Sequence, residues 1–188
     1  MIIIGIAGKA QSGKSTSGKI IKSLLETNKK VVSIRPLAAK LKQICEDLFG
    51  WDGDKGLYYD DNGKLIQDKG RQLLINVGTD KMRQVRPTVW VDYVLKHLND
   101  FSYFEKKPDV VIIDDVRFRN EVEKIKNSGA DKIILIKIER DLQENIDDIS
   151  EKDLDGYIGF DLVLENNETL EDLEADLFAY LVSSEVIK

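Results

Sequence analysis

At 188 residues, 42% hydrophobic and 33% charged, with 3 prolines, the sequence reads as one globular domain able to bury a sizeable core. No apolar run approaches the roughly 20 residues that span a bilayer, no export signal is recognisable, and a net charge of -6 opposes sequence-independent nucleic-acid binding. The single cysteine, Cys45, excludes an internal disulfide, so a cytoplasmic protein that binds neither membrane nor nucleic acid is expected.

The first predicted element is the apolar run Ile2–Ala7, a strand that leads directly into the glycine loop "GKAQSGKST". Ile20, Ile21, Leu24 and Leu25 then recur at helical spacing. Val31–Ile34 is a short strand ended by Arg35-Pro36, and a helix carries Leu37, Leu41, Ile44, Cys45 and Leu48 on one face up to Gly50. Residues 51–69 cluster Gly, Asp and Asn around two short apolar patches, which predicts a surface excursion or small hairpin.

The second half repeats the alternation. Residues 70–85 and 88–101 are predicted helices separated by Arg86-Pro87, and Val110–Ile113 is a continuous β-branched run that suits a parallel strand buried on both faces. A helix over 120–127, a strand over 132–138, an acidic segment over 141–157 and a strand over 161–164 follow. The last helix stacks Leu170, Leu173, Leu177 and Leu181, with Thr169 and Asp172 at capping-box spacing. This alternation predicts an α/β fold of three layers, a parallel sheet of about five strands between helices, with ligands at the carboxyl ends of the strands.

Gly8 to Ser15 matches the phosphate-loop pattern G-x-x-x-x-G-K-[ST] in full, in a strand-loop-helix setting. Glycines let backbone N–H groups curl around phosphate oxygens, and the helix that follows turns its positive end toward the same anion. Gly8, Gln11, Ser12, Gly13, Lys14, Ser15 and Thr16 are therefore expected to bind a nucleoside triphosphate. Lys14 supplies a mobile charge for the β and γ oxygens, and Ser15 a hydroxyl for Mg²⁺.

The acceptor is a separate question. A guanine-reading N/T-K-x-D motif is absent late in the chain, which removes the ordinary GTPase, and a motor ATPase usually needs a longer chain. Arginine, whose planar fork suits bidentate phosphate contact, falls at Arg35, Arg71, Arg83, Arg86, Arg117 and Arg119. Asp114 and Asp115 follow the Val110–Ile113 run, where a carboxylate can serve a metal ion or a sugar. His97 sits in a helical pattern and is not expected to react.

The phosphate loop, with "PLAAKLKQICEDLFG", "GRQLLINVGTD", "VWVDYV", "VVIIDDVRFRNE" and "FDLVLENNETLEDL", resembles the deoxynucleoside monophosphate kinases of tailed bacteriophages nearly end to end. The resemblance implies a single P-loop kinase domain over 1–188, with the excursion at 51–69 and a lid-like segment at 141–157. It implies transfer of the γ-phosphoryl group of ATP to a deoxynucleoside monophosphate, with Mg²⁺, in the host cytoplasm if the chain is phage-encoded.

Carried over by the same resemblance, Lys42, Arg71, Gly78, Thr79, Trp90, Asp115, Arg117 and Glu121 are expected at the acceptor. Lys14, Arg117 and Asp115 form the expected catalytic set, Ser15 and Asp114 the metal ligands, and Arg140 a donor contact. Segment 141–157 departs from the pattern, since it is acidic and has Asp148 where related chains often carry histidine. Two alternatives stay open: a kinase of another small metabolite, of the dephospho-coenzyme A type, and a nucleotide-dependent binding or switch module. The partners expected are small-molecule substrates, and the apolar 89–94 helix permits a homodimer.

Overall fold

The computed structural model describes residues 1–53, 58–59, 65–66, 69–98, 106–141 and 149–187. Its frame is a five-stranded parallel sheet in the order β2-β5-β1-β6-β7, formed by β1 (Ile2–Ala7), β2 (Val32–Ile34), β5 (Val110–Val116), β6 (Lys132–Glu139) and β7 (Leu162–Glu165). β1 is central and pairs with both β5 and β6, which puts the loop after Ala7 in the middle of the carboxyl edge. The predicted excursion contains an antiparallel hairpin, β3 (Tyr58–Tyr59) with β4 (Leu65–Ile66). The rest of it between 54 and 68 lies outside the described residues.

Helices cover both faces, as β-branched strands buried on two sides require. On one face α1 (Lys14–Thr27) and α8 (Leu170–Ser183) pack over Ile4, Ile6, Val110, Ile112, Ile134 and Ile136. On the other, α2 (Ala39–Phe49), α5 (Val89–Leu98) and α6 (Arg119–Lys126) enclose Ile3, Ala7, Val111, Ile113 and Leu135. Thr169 caps α8, its hydroxyl accepting the Asp172 N–H at 3.2 Å while the Asp172 carboxylate accepts the Thr169 N–H at 3.2 Å.

Two predicted boundaries move. The helix over 70–85 is a composite of α3 (Lys69–Ile75), a π-helical segment (Asn76–Met82) and the short α4 (Arg83–Val85). β5 does not stop at Ile113 but runs to Val116 through a β-bulge, because Gly5 pairs with Ile113 while Ala7 pairs with Val116. Asp114 and Asp115 together oppose the single residue Ile6, so side-chain parity changes there. Val111 and Ile113 face the α2 side and Ile112 the α1 side, yet even-numbered Val116 faces the α2 side as well. The last short helix before β7, α7 (Ile149–Lys152), lies in the acidic segment, of which 142–148 are outside the described residues.

Candidate active site

The loop from Gly8 to Gly13 has the backbone that its glycines permit. Gly8 (φ 148) and Gly13 (φ 104) occupy conformations that side chains disfavour, and Gln11 is left-handed (φ 63). A Cβ on Gly8 would stand 2.3 Å from the Ile138 carbonyl oxygen, and one on Gly13 would stand 2.3 Å from Asn166 Nδ2. Asn166, in the connection after β7, donates from Nδ2 to the Ser12 carbonyl at 2.8 Å and so braces the loop from outside. The Lys14 ammonium, buried at the start of α1, donates to the Lys9 carbonyl and draws the loop closed from inside. Ser15 and Thr16 are exposed on the first turn of α1.

At the bulge the two aspartates part. Asp114 is buried and packs toward α1, where a Cβ on Gly18 would lie 3.1 Å from its own Cβ. Its Oδ1 is buried without a hydrogen-bond partner, as is the hydroxyl of Ser12, among the described residues. An oxygen left without a donor at the strand end suits a hard cation that takes oxygen ligands. Among the described residues no three His, Cys, Asp or Glu side chains gather to hold a metal by themselves. A cation here would share its shell with phosphate and water.

Asp115 faces the other way and holds the entry to α2, accepting the Leu37 N–H at 2.7 Å and the Ala38 N–H at 2.9 Å. Burial pushes its carboxyl up to about 6 against the lowering effect of these two amides, and the charges of Glu121 and Asp114 push in the same direction as burial. Glu121, 1% exposed, accepts the Arg117 N–H at 2.8 Å and the Phe118 N–H at 3.0 Å, and forms an ion pair with Arg83. Arg83 stacks over the Phe118 ring at 4.0 Å and donates to the Pro87 carbonyl at 2.9 Å. Asp115 and Glu121 therefore meet protein groups, the first holding the Leu37–Ala38 turn before α2 and the second the loop that carries Arg117.

A cleft of about 490 Å³ opens beside the phosphate loop, with Gly8, Lys9, Ser12, Arg117, Arg140 and Asp155 among its lining. Of the expected site residues, the fold brings Gly8, Ser12, Arg117 and Arg140 together there. Lys42, on α2, and Arg71, on α3, are half-buried and do not line it. Trp90 is 4% exposed in the core, and its indole N–H donates to the Gly78 carbonyl at 3.3 Å. Gly78 is buried with Leu41 so close that a Cβ would come within 2.4 Å of Leu41 Cδ2. Thr79 beside it is half-buried on the π-helical segment. Arg83, Arg119 and Asn166 brace the segments around the site without being among the expected site residues, although the first two belong to the arginine set and Asn166 to "FDLVLENNETLEDL".

A family model described as deoxynucleotide monophosphate kinase matches residues 64–177. The chain belongs to the deoxynucleotide monophosphate kinase family. It is a nucleotide kinase, and the family match begins well after the phosphate loop, so the two observations are independent. A protein of Acanthamoeba polyphaga mimivirus described as a deoxynucleotide monophosphate kinase is 30% identical over 198 residues, covering 95% of this kinase and 95% of its own length. A dephospho-CoA kinase of Fusobacterium nucleatum subsp. nucleatum is 29% identical over 194 residues, covering 92% and 93%. The crystal structure of a gluconokinase from Sinorhizobium meliloti 1021 superposes with a TM-score of 0.51 at 12% identity over 96% of this kinase and 91% of that chain, a likeness of fold. Among the described residues of the kinase, no helix is long and apolar enough to cross a membrane.

Proposed function

We propose that the enzyme transfers the γ-phosphoryl group of ATP to a deoxynucleoside monophosphate, yielding ADP and the corresponding diphosphate, as one kinase domain acting in the cytoplasm. The observation that carries this reading is the family match over 64–177, which spans Arg71, Gly78–Thr79, Trp90 and the Asp114–Glu121 stretch next to an intact phosphate loop.

On the donor side, the backbone N–H groups of Gly8 to Ser15 cradle the phosphates, and Lys14 faces the β and γ oxygens from inside the loop. Ser15 and Asp114 would hold Mg²⁺, the unpartnered Asp114 oxygen supporting that role. Held by these two residues, the ion would supply positive charge against the charge that spreads during transfer. Arg140 lines the donor cleft at the end of β6.

On the acceptor side we assign Lys42, Arg71 and Thr79 to the monophosphate nucleotide, with Gly78 and Trp90 as the packed floor behind Thr79. Arg117 reaches from the β5–α6 loop toward the group in transit. Asp115 and Glu121 act on the acceptor through the loops that they hold. A phosphomonoester has its second pKa at about 6 and is largely a dianion at neutral pH, so it attacks without a general base. The protein supplies position and charge.

The second reading, a dephospho-coenzyme A type kinase, is favoured by the 29% identity that extends over 92% of the chain. One experiment separates them: the protein with ATP, Mg²⁺ and a panel of deoxynucleoside monophosphates, ribonucleoside monophosphates and dephospho-coenzyme A. Formation of deoxynucleoside diphosphates supports the first reading, and turnover of dephospho-coenzyme A alone replaces it with the second. ATP binding without turnover of any acceptor would move the protein to the class of nucleotide-dependent binding modules.

A further inference from the structure

We propose that Arg119 is a positioning residue for the donor half of the cleft, an inference that rests on the reading of this cleft as an ATP site. Arg119 opens α6, two residues after Arg117, and its side chain does not line the cleft. It reaches instead to a turn 34 residues ahead, donating from Nε to the Asp153 carbonyl at 2.7 Å and from Nη2 to the Asp155 carbonyl at 2.8 Å. Its backbone N–H donates to the Asp153 carboxylate at 2.6 Å.

That turn is a wall of the donor cleft. Leu154, buried in the core, and Asp155 both line it, and the Asp155 carboxylate lies 3.7 Å from the Lys9 ammonium in the phosphate loop. Arg119 thus holds the turn that meets Lys9 against the start of α6, and with it the donor side of the cleft. The contact needs an arginine, because two carbonyls two residues apart are met by the fixed fork of a guanidinium, whereas a lysine ammonium is a single point charge on a flexible stem. Since both acceptors are main-chain oxygens, the side chains at 153 and 155 do not replace it.

The test is steady-state kinetics of the full chain and of Arg119→Ala and Arg119→Lys, with ATP varied at saturating acceptor and the acceptor varied at saturating ATP. Calorimetric titration with ATP and Mg²⁺ and a thermal unfolding midpoint accompany it. Loss of two charge-assisted hydrogen bonds predicts a rise of about tenfold in the ATP KM and in the ATP Kd for Arg119→Ala, with kcat and the acceptor KM within about twofold of wild type. Arg119→Lys should fall between the two. An unchanged ATP KM and Kd in both variants overturns the proposal, and so does an equal rise in both KM values with a lowered midpoint, which marks a merely structural contact. If Arg119→Ala fails to fold, Arg119→Lys decides on the same criteria. A wild-type protein that turns over no acceptor defeats the kinase reading alone, and the ATP titration of the variants still decides the role of Arg119.

Discussion

Glu121 and Arg83, 38 positions apart, form a buried ion pair that ties the helix after the π-helical segment to the loop of Arg117. Both oxygens of Glu121 are in use: one takes Arg83, the other the N–H groups of Arg117 and Phe118. With Glu121 1% exposed, removing its cation leaves a buried charge uncompensated. Arg83→Ala should therefore lower stability by about 3 kcal/mol in urea unfolding. A midpoint equal to wild type would show that the pair contributes nothing to the fold.

The buried ammonium of Lys14 gives the next expectation. Because it closes the phosphate loop and faces the proposed phosphate position, Lys14→Ala should reduce transfer by at least about a hundredfold, the scale on which loss of one preorganised charge acts. Far-ultraviolet circular dichroism should remain that of wild type. Turnover close to wild type would remove this lysine from the reaction.

Arg117 lines the same cleft as Gly8 and Ser12, which puts it beside the phosphate loop and the proposed donor. Arg117→Ala should raise the acceptor KM or lower kcat while the Kd for ATP, measured by titration, changes little. An equal loss of ATP affinity would assign this arginine to the donor phosphates.

Asp115 makes stability depend on pH in a direction opposite to that of an ordinary ion-paired aspartate. Its folded carboxyl, pushed up to about 6 chiefly by burial, holds its proton at a pH where the unfolded chain, near 3.8, has lost it. The folded state thus binds more protons across that window, and stability falls as pH rises from about 4 to about 6, by about 3 kcal/mol for this group. Asp115→Asn should flatten the slope of stability against pH in that window, measured by chemical unfolding in the presence of a metal chelator. An unchanged slope would show that another group titrates there.

Much of the frame is legible in local pattern. The β-branched runs at 2–7, 110–113 and 132–138 mark buried parallel strands, and the phosphate loop is a short motif whose every position has a reason. The bulge is not legible, since nothing in "IIDDV" says that two residues will face one. The π-helical segment is equally silent: "NVGTDKM" fits an ordinary helical period, and the close approach of Leu41 and Trp90 to Gly78 comes from elements distant in the chain. Arginine partners are hidden for a different reason. Arg83 finds Glu121 across 38 positions and Arg119 finds Asp153 across 34, and periodicity within one element carries no information about such distances. Trp90, expected at the acceptor by resemblance, shows in the fold what the pattern leaves open, a large apolar surface only 4% exposed.

The extra residue in β5 also means that this strand tip carries two carboxylates, one toward each face, where strict alternation would hold a single residue opposite Ile6. Substituting Asp114 or Asp115 alters the carboxylate on one face and leaves the other in place. Deleting either would restore strict alternation with Val116 still on the α2 side opposite Ala7, while the surviving carboxylate, now alone opposite Ile6, would face α1 and leave the Leu37 and Ala38 N–H groups without their acceptor. A one-residue shortening at this spot should therefore spare the strand register and cost the anchor at the entry to α2.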